Sequence, residues 1–171
     1  MYENKTLAQG RYEIVGALGE GGMAYVFTAY DTRLRVERAI KVLAPRLFGN
    51  RKIRERFESE AATMAQLHHK NILTIHDIGN EDQMVYMVME MLLGGSLMDR
   101  IEEHGVLHPQ LAITAAIEMA AGLGFAHKNK VIHRDVKPHN VLISRDGIMK
   151  VADFGIARIE DGLNSQTRTG A

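Results

Sequence analysis

The thirteen residues Val131 to Ile143, VIHRDVKPHNVLI, constrain this chain more than any other stretch, because six polar or charged side chains crowd a short segment whose two ends read as apolar strand. A fold has little structural use for such a loop. Asp135 can take a proton from an attacking hydroxyl, Asn140 offers an amide oxygen suited to a hard cation, and Lys137 is a point charge matched to phosphate. Together these chemistries describe phosphoryl transfer. Any one of the three residues would fit a solvated surface turn equally well, so the inference rests on their spacing.

That spacing resembles the catalytic loop of the eukaryotic-type protein kinases, in which His-Arg-Asp is followed two residues after the Asp by Lys and five after it by Asn. His133, Arg134, Asp135, Lys137 and Asn140 fill the pattern. The resemblance implies that Asp135 and Lys137 serve catalysis at the acceptor hydroxyl, and that Asn140 supports a metal ion. The lysine at 137 points to the Ser/Thr class. GGMAYV and HRDVKPHN are similar to bacterial, PknB-like members.

From Arg11 the chain reads as strand, glycine turn, strand, with glycines at 19, 21 and 22. Without side chains there, a backbone can approach a triphosphate closely and aim N–H groups at it. Glycines between two strands are more often a plain hairpin, and neither a dinucleotide fingerprint nor a Walker loop follows here. The arrangement resembles the kinase glycine-rich loop, with Ala24 at its third glycine position.

Val36 to Leu43 reads as a strand with Ala39 and Lys41 on one face. A lysine there is ordinarily a solvated face or an edge guard. By resemblance it is the lysine that pairs with the nucleotide's phosphates, while Leu18, Val26 and Ala39 roof the adenine. Lys52 to His69 repeats apolar residues at three and four, an amphipathic helix that carries Glu60 on its inward side. A carboxylate there needs a cationic partner. Lys41 is the expected one, as in the kinase pair of the third strand and helix C. His69-Lys70-Asn71-Ile72 resembles the family's His-Pro-Asn-Ile with lysine in place of proline.

Strands are expected at Ile72 to Ile78 and Met84 to Met89, with GNEDQ as the turn. MLLGGSLMD then leaves the sheet as the hinge of the family. There Met89 would be the gatekeeper, Glu90 and Leu92 would meet the adenine edge through backbone groups, and Asp99 would reach the ribose. Pro109 to Lys128 reads as a buried scaffold helix with Ile113, Ile117, Ala120 and Leu123 on its apolar stripe. After a small hairpin comes Asp153-Phe154-Gly155, eighteen residues beyond Asp135. By resemblance Asp153 holds Mg²⁺ on ATP, with Mn²⁺ the alternative ion, and Leu142 closes the floor beneath the adenine.

Composition narrows the partners. The 171 residues are 46% apolar and 25% charged, as in a soluble globular domain, and 21 basic residues balance 21 acidic ones. No excess field favours nucleic acid or an anionic membrane. The absence of cysteine excludes disulfides and thiolate metal sites, and makes the cytoplasm the default location. The most apolar stretch, Leu111 to Ala126, reads as too short to span a bilayer, although a longer protein could be anchored downstream.

The expectation is therefore an α+β, two-lobed kinase-like fold: residues 1–10 an N-terminal extension, 11–90 a small lobe with a five-stranded antiparallel sheet and helix C, and 91–171 the hinge and an incomplete, mainly helical large lobe. Its polar tail holds Ser165, Thr167 and Thr169, whose phosphates would pair with Arg134 as a regulatory switch. Proteins bearing Ser or Thr are the expected substrates. Missing large-lobe helices would leave apolar surface that favours self-association. The competing expectation is a nucleotide-binding but inert fragment, or a regulatory pseudokinase module.

Overall fold

A computed structural model describes residues 5–81 and 83–154. The candidate phosphosites Ser165, Thr167 and Thr169 lie outside the described residues. Contacts divide the chain into two units, Met1–Gln66 with Thr74–Met91, and Leu67–Leu73 with Leu92–Ala171.

Alternating β-branched and aromatic residues build the first unit as one antiparallel sheet of β1 (Thr6–Leu7), β2 (Tyr12–Glu20), β3 (Ala24–Asp31), β4 (Val36–Leu43), β5 (Ile75–Glu81) and β6 (Met84–Glu90), in the order β1-β2-β3-β4-β6-β5. The five expected strands are thus joined by a sixth from within the expected extension, where Thr6 pairs with Glu13 and Leu7 with Tyr12. The sheet curls until its outer strands approach through side chains. Ala8 N–H donates to the Glu81 carboxylate, and the Tyr12 hydroxyl donates to Asp77 at 2.9 Å. Arg11 joins fully buried Asp31 at 3.0 Å and Asp77 at 3.3 Å. Inside the curl Leu7, Tyr12, Ile14, Phe27, Ile40, Val42, Tyr86 and Val88 form the core.

Between β4 and β5 lie the short α1 (Pro45–Phe48) and α2 (Arg51–Ala65). Asn50 caps α2 by accepting the Ile53 N–H at 3.3 Å, a bond of a kind contributing about 1 kcal/mol. Ile53, Phe57, Ala61 and Met64 are its buried face, as their spacing requires. The helix ends before the expected His69, and β5 begins three residues after the expected Ile72, for one reason: Leu67–Leu73 packs with the second unit. There Ile72 bridges Val151 in parallel, and the His69 ring stacks on Phe125 at 5.1 Å.

The second unit holds α3 (Leu97–His104), α4 (Pro109–Lys128), a 3-10 turn at Pro138–Asn140, and the hairpin of β7 (Val141–Ile143) and β8 (Met149–Val151). Leu97, Ala115, Val141, Ile143 and Met149 make its core. The expected buried stripe of α4 is corrected. Ala115, Gly122 and Ala126 are buried, whereas Ile113 and Ile117 are 60% and 64% exposed. The helix is apolar nearly all round, so its smallest residues decide which face can approach closely: a Cβ on Gly122 would lie 2.5 Å from the Asn71 carbonyl oxygen. By length and composition α4 is also a helix that could cross a membrane, contrary to the expectation for this stretch. Here it packs on β8, with the Glu118 carboxylate accepting the Met149 N–H at 2.7 Å.

Candidate active site

In the first unit, β2 and β3 bring Gly19, Gly21 and Gly22 to their turn, which closes through Gly21 N–H to Ala24 O at 2.9 Å. None of the three glycines has positive φ. A Cβ on Gly19 would meet nothing within 4 Å, and one on Gly21 would make only ordinary contact. At Gly19 and Gly21 neither backbone conformation nor the protein's own packing requires glycine, so the bare backbone fits approach by an outside group. Leu18 beside it is half exposed. Lys41 occupies the middle of β4, opposite Val26 on β3 and Met87 on β6, and is 9% exposed. Ala39 and Met89 are a directly opposed, buried cross-strand pair. Glu60 lies half-buried on α2. Glu90 turns its carboxylate onto the Thr74 N–H at 2.7 Å, while its own N–H donates to the Thr74 carbonyl.

The second unit assembles the charged loop. Lys137 Nζ meets Asp135 Oδ2 at 2.7 Å, and the same oxygen accepts from Asn140 Nδ2 at 3.0 Å. Asn140 Nδ2 also donates to the Asp135 carbonyl at 2.9 Å, which fixes the amide and leaves its Oδ1 as the atom able to serve a cation. The Lys137 contact, aided by Asn140 and opposed by burial, holds the Asp135 carboxyl below the usual carboxylate range. Asp135 is therefore an anion at neutral pH, an acceptor with one proton-binding face engaged.

Beneath it, His133 is fully buried, and its ring lies 4.6 Å from that of Phe154. Nδ1 accepts the Asp135 N–H at 3.2 Å, so Nε2 carries the proton and donates to the Ala152 carbonyl at 2.7 Å. Ala152 N–H in turn donates to Asn140 O at 2.8 Å. The chain then enters Asp153 at φ +59°, a left-handed conformation shared by Arg134 at +70°. Such conformations cost non-glycine residues about 1–2 kcal/mol and cluster at functional sites. Arg134 is exposed, and no carboxylate pairs with it among the described residues.

Asp99 was expected at a ribose. It is the N3 residue of a capping box, taking the Ser96 N–H at 2.6 Å while Ser96 Oγ takes the Asp99 N–H. The Ser96 contacts hold its carboxyl below the usual range. The signal was in the sequence, a serine three residues before an acid at a helix start. Leu92 and Leu142 are half-buried, the latter opposite Ser96 across an isolated bridge.

Among the described residues no three His, Cys, Asp or Glu side chains gather into a metal cage.

The protein kinase domain model matches residues 12–170. The chain is 43% identical over 160 residues to the serine/threonine-protein kinase PrkC of Bacillus subtilis, covering 94% of this chain and 24% of that protein. It is 41% identical over 166 residues to PknB of Mycobacterium tuberculosis, covering 94% and 26%. A crystal structure of the M. tuberculosis PknI kinase domain superposes with a TM-score of 0.77 at 31% identity, covering 91% of this chain and 62% of that one. The chain thus spans about a quarter of the length of these curated relatives.

Proposed function

This chain belongs to the protein kinase domain family, and from that premise we propose that it is the ATP-binding and catalytic-loop part of a bacterial-type Ser/Thr protein kinase. The observation that carries the reading is the Asp135 carboxylate, kept ionised and aimed by Lys137 at 2.7 Å and Asn140 at 3.0 Å. In the proposed reaction a Ser or Thr hydroxyl oxygen of a protein attacks the γ-phosphorus of ATP. The bond from that phosphorus to the β–γ bridging oxygen breaks, ADP leaves, and the hydroxyl proton passes to Asp135.

The remaining roles are those that membership of the family implies for these positions. The backbone at Gly19, Gly21 and Gly22 receives the phosphates, Lys41 pairs with them and with Glu60, and Leu18, Val26, Ala39, Met89 and Leu142 enclose the base. Glu90 and Leu92 offer it backbone groups, and Asp99 faces the ribose with whatever capacity its cap leaves. Asn140 and Asp153 hold Mg²⁺, which supplies charge neutralisation on the triphosphate. Lys137 neutralises the transferred phosphoryl. Arg134 receives a phosphate on Ser165, Thr167 or Thr169, which adds roughly −1.5 to −2 charge. A cytoplasmic location follows from the need for ATP.

A second reading, an inert nucleotide-binding piece, has its own observation: Ile113, Ile117, Ile132 and Val136 are all more than half exposed in the unit that carries the catalytic loop. One experiment separates the two. Labelled Mg·ATP is incubated with a general protein substrate and either this chain or a longer one extended through the downstream coding sequence, followed by phosphosite mapping. Transfer by the longer chain, with phosphate on Thr167 or Thr169, supports the first reading. Nucleotide binding without transfer by either chain supports the second.

A further inference from the structure

We propose that Asn71 is a positioning residue for Asp153, acting through β8; the inference rests on the metal-binding role given to Asp153 above. Asn71 is fully buried and sits against the strand that ends two residues before that carboxylate. Its side-chain Nδ2 donates to the Met149 carbonyl at 2.9 Å, its own carbonyl accepts the Val151 N–H at 2.9 Å, and Leu73 N–H donates to Val151 O at 3.0 Å. The segment thereby lies against β8 through one isolated parallel bridge, with Ile72 opposite Val151.

Asn71 cannot slide away. Gly122 of α4 abuts its carbonyl, and its N–H is held by His69 Nδ1 at 3.1 Å, with the His69 ring stacked on Phe125. Downstream of this grip, Ala152 is fixed on both sides by Asn140 O and His133 Nε2, and the chain turns left-handed at Asp153. The placement of the carboxylate is set by anchors on Met149, Val151 and Ala152, and Asn71 supplies the first two.

The chemistry of the residue fits this role better than packing does. Asn71 Oδ1 is buried and has no hydrogen-bond partner among the described residues, an arrangement that weighs against the folded state. An apolar side chain of similar volume would fill the space without that cost. Leucine would keep the packing and the backbone bonds to Val151, and lose only the side-chain bond to the Met149 carbonyl. Partners that orient a metal ligand are worth roughly 10-fold or more in metal affinity when removed.

The test measures binding of a fluorescent ADP analogue with Mg²⁺ and with chelator, for the wild-type chain, Asn71→Leu and Asn71→Ala, alongside thermal melts. For Asn71→Leu we expect a melting temperature near wild type, metal-free affinity unchanged, and a metal-dependent gain reduced about 10-fold. An undiminished gain in either folded variant, or equal loss of metal-free and metal-bound affinity, overturns the proposal. Amide hydrogen exchange of the wild type decides the case if neither variant folds. Val151 and Ala152 should be as protected as β7, and exchange as fast as the Arg145–Gly147 turn overturns the clamp. Wild type that binds no nucleotide in a metal-dependent way refutes the functional reading instead, leaving the exchange data to judge the clamp alone.

Discussion

The buried His133 imidazole joins two backbone positions on the two catalytic segments, taking the N–H of Asp135 on one nitrogen and giving its proton to the carbonyl of Ala152 on the other. The first of these bonds needs the neutral ring, because a protonated Nδ1 cannot accept, whereas Nε2 donates in either state. Burial, outweighing the carbonyl and nearby carboxylates, pushes its pKa below the ordinary imidazole value.

The sign of the resulting pH dependence follows. A folded pKa below the unfolded one makes His133 stabilising above about pH 6.5, and that contribution is lost as pH falls through the folded value. Urea melts between about pH 7.5 and 5.5 should show a weakening that is absent in His133→Phe. Parallel profiles for the two proteins would remove His133 from the explanation.

Two glycines two residues apart on α4, and so on opposite sides of the helix, should respond oppositely to alanine. At Gly122 the new Cβ would lie 2.5 Å from Asn71 O, a backbone clash expected to cost about 1–3 kcal/mol. At Gly124 it would meet nothing within 4 Å, and the gain in helix propensity should stabilise by about 0.5–1 kcal/mol. Chemical denaturation of both variants checks the contrast, and shifts of the same sign would contradict the packing described for this helix.

Lys41→Met should weaken nucleotide binding with or without Mg²⁺, whereas Asp153→Asn should remove mainly the metal-dependent part. Calorimetric titration with and without chelator reads the difference. Equal affinity in folded Lys41→Met would unseat that lysine from the phosphate site.

In a chain extended to the complete domain, Asp135→Asn should abolish transfer while nucleotide affinity stays within about 2-fold, because the carboxylate serves the acceptor hydroxyl. An asparagine can still meet Asn140, so folding should survive. Parallel loss of binding and turnover would reassign Asp135 to holding the loop together.

On the exposed face of α4, Ile113→Lys with Ile117→Lys should change stability by no more than about 0.5 kcal/mol per site. Self-association by this face, if it occurs through those side chains, should fall in the same variant. Sedimentation across a concentration series measures it, and an unchanged association state would place any contact elsewhere.

What was legible in the sequence was whatever chemistry demands at fixed spacing. The loop residues 133 to 140 and the strand and helix that carry Lys41 and Glu60 are spelled out by side-chain type and period. The strand β1 was not, since two residues in a polar stretch have no period to read. The start of β5 was misplaced because Ile72 and Leu73 are apolar whichever partner they take, and β8 takes them. The buried face of α4 was misassigned for a related reason: a helix apolar on most sides leaves the choice to size, and small residues win where a backbone must come close.

The six-stranded order also says how the sheet guards its flank. Strand β2 has β3 on one side only, and along its first residues the other side is covered by β1, with Ile14 N–H donating to Lys5 O at 2.9 Å. Farther along, irregularities between Ile14 and Gly16 and between Ala17 and Gly19 spoil the regular spacing of N–H and C=O groups. A chain trimmed to Tyr12, where the family match begins, would keep the second defence and lose the first. Its bare backbone groups from Tyr12 to Ile14 would become a template for a neighbouring chain, so aggregation during refolding would report on β1 before any loss of catalysis did.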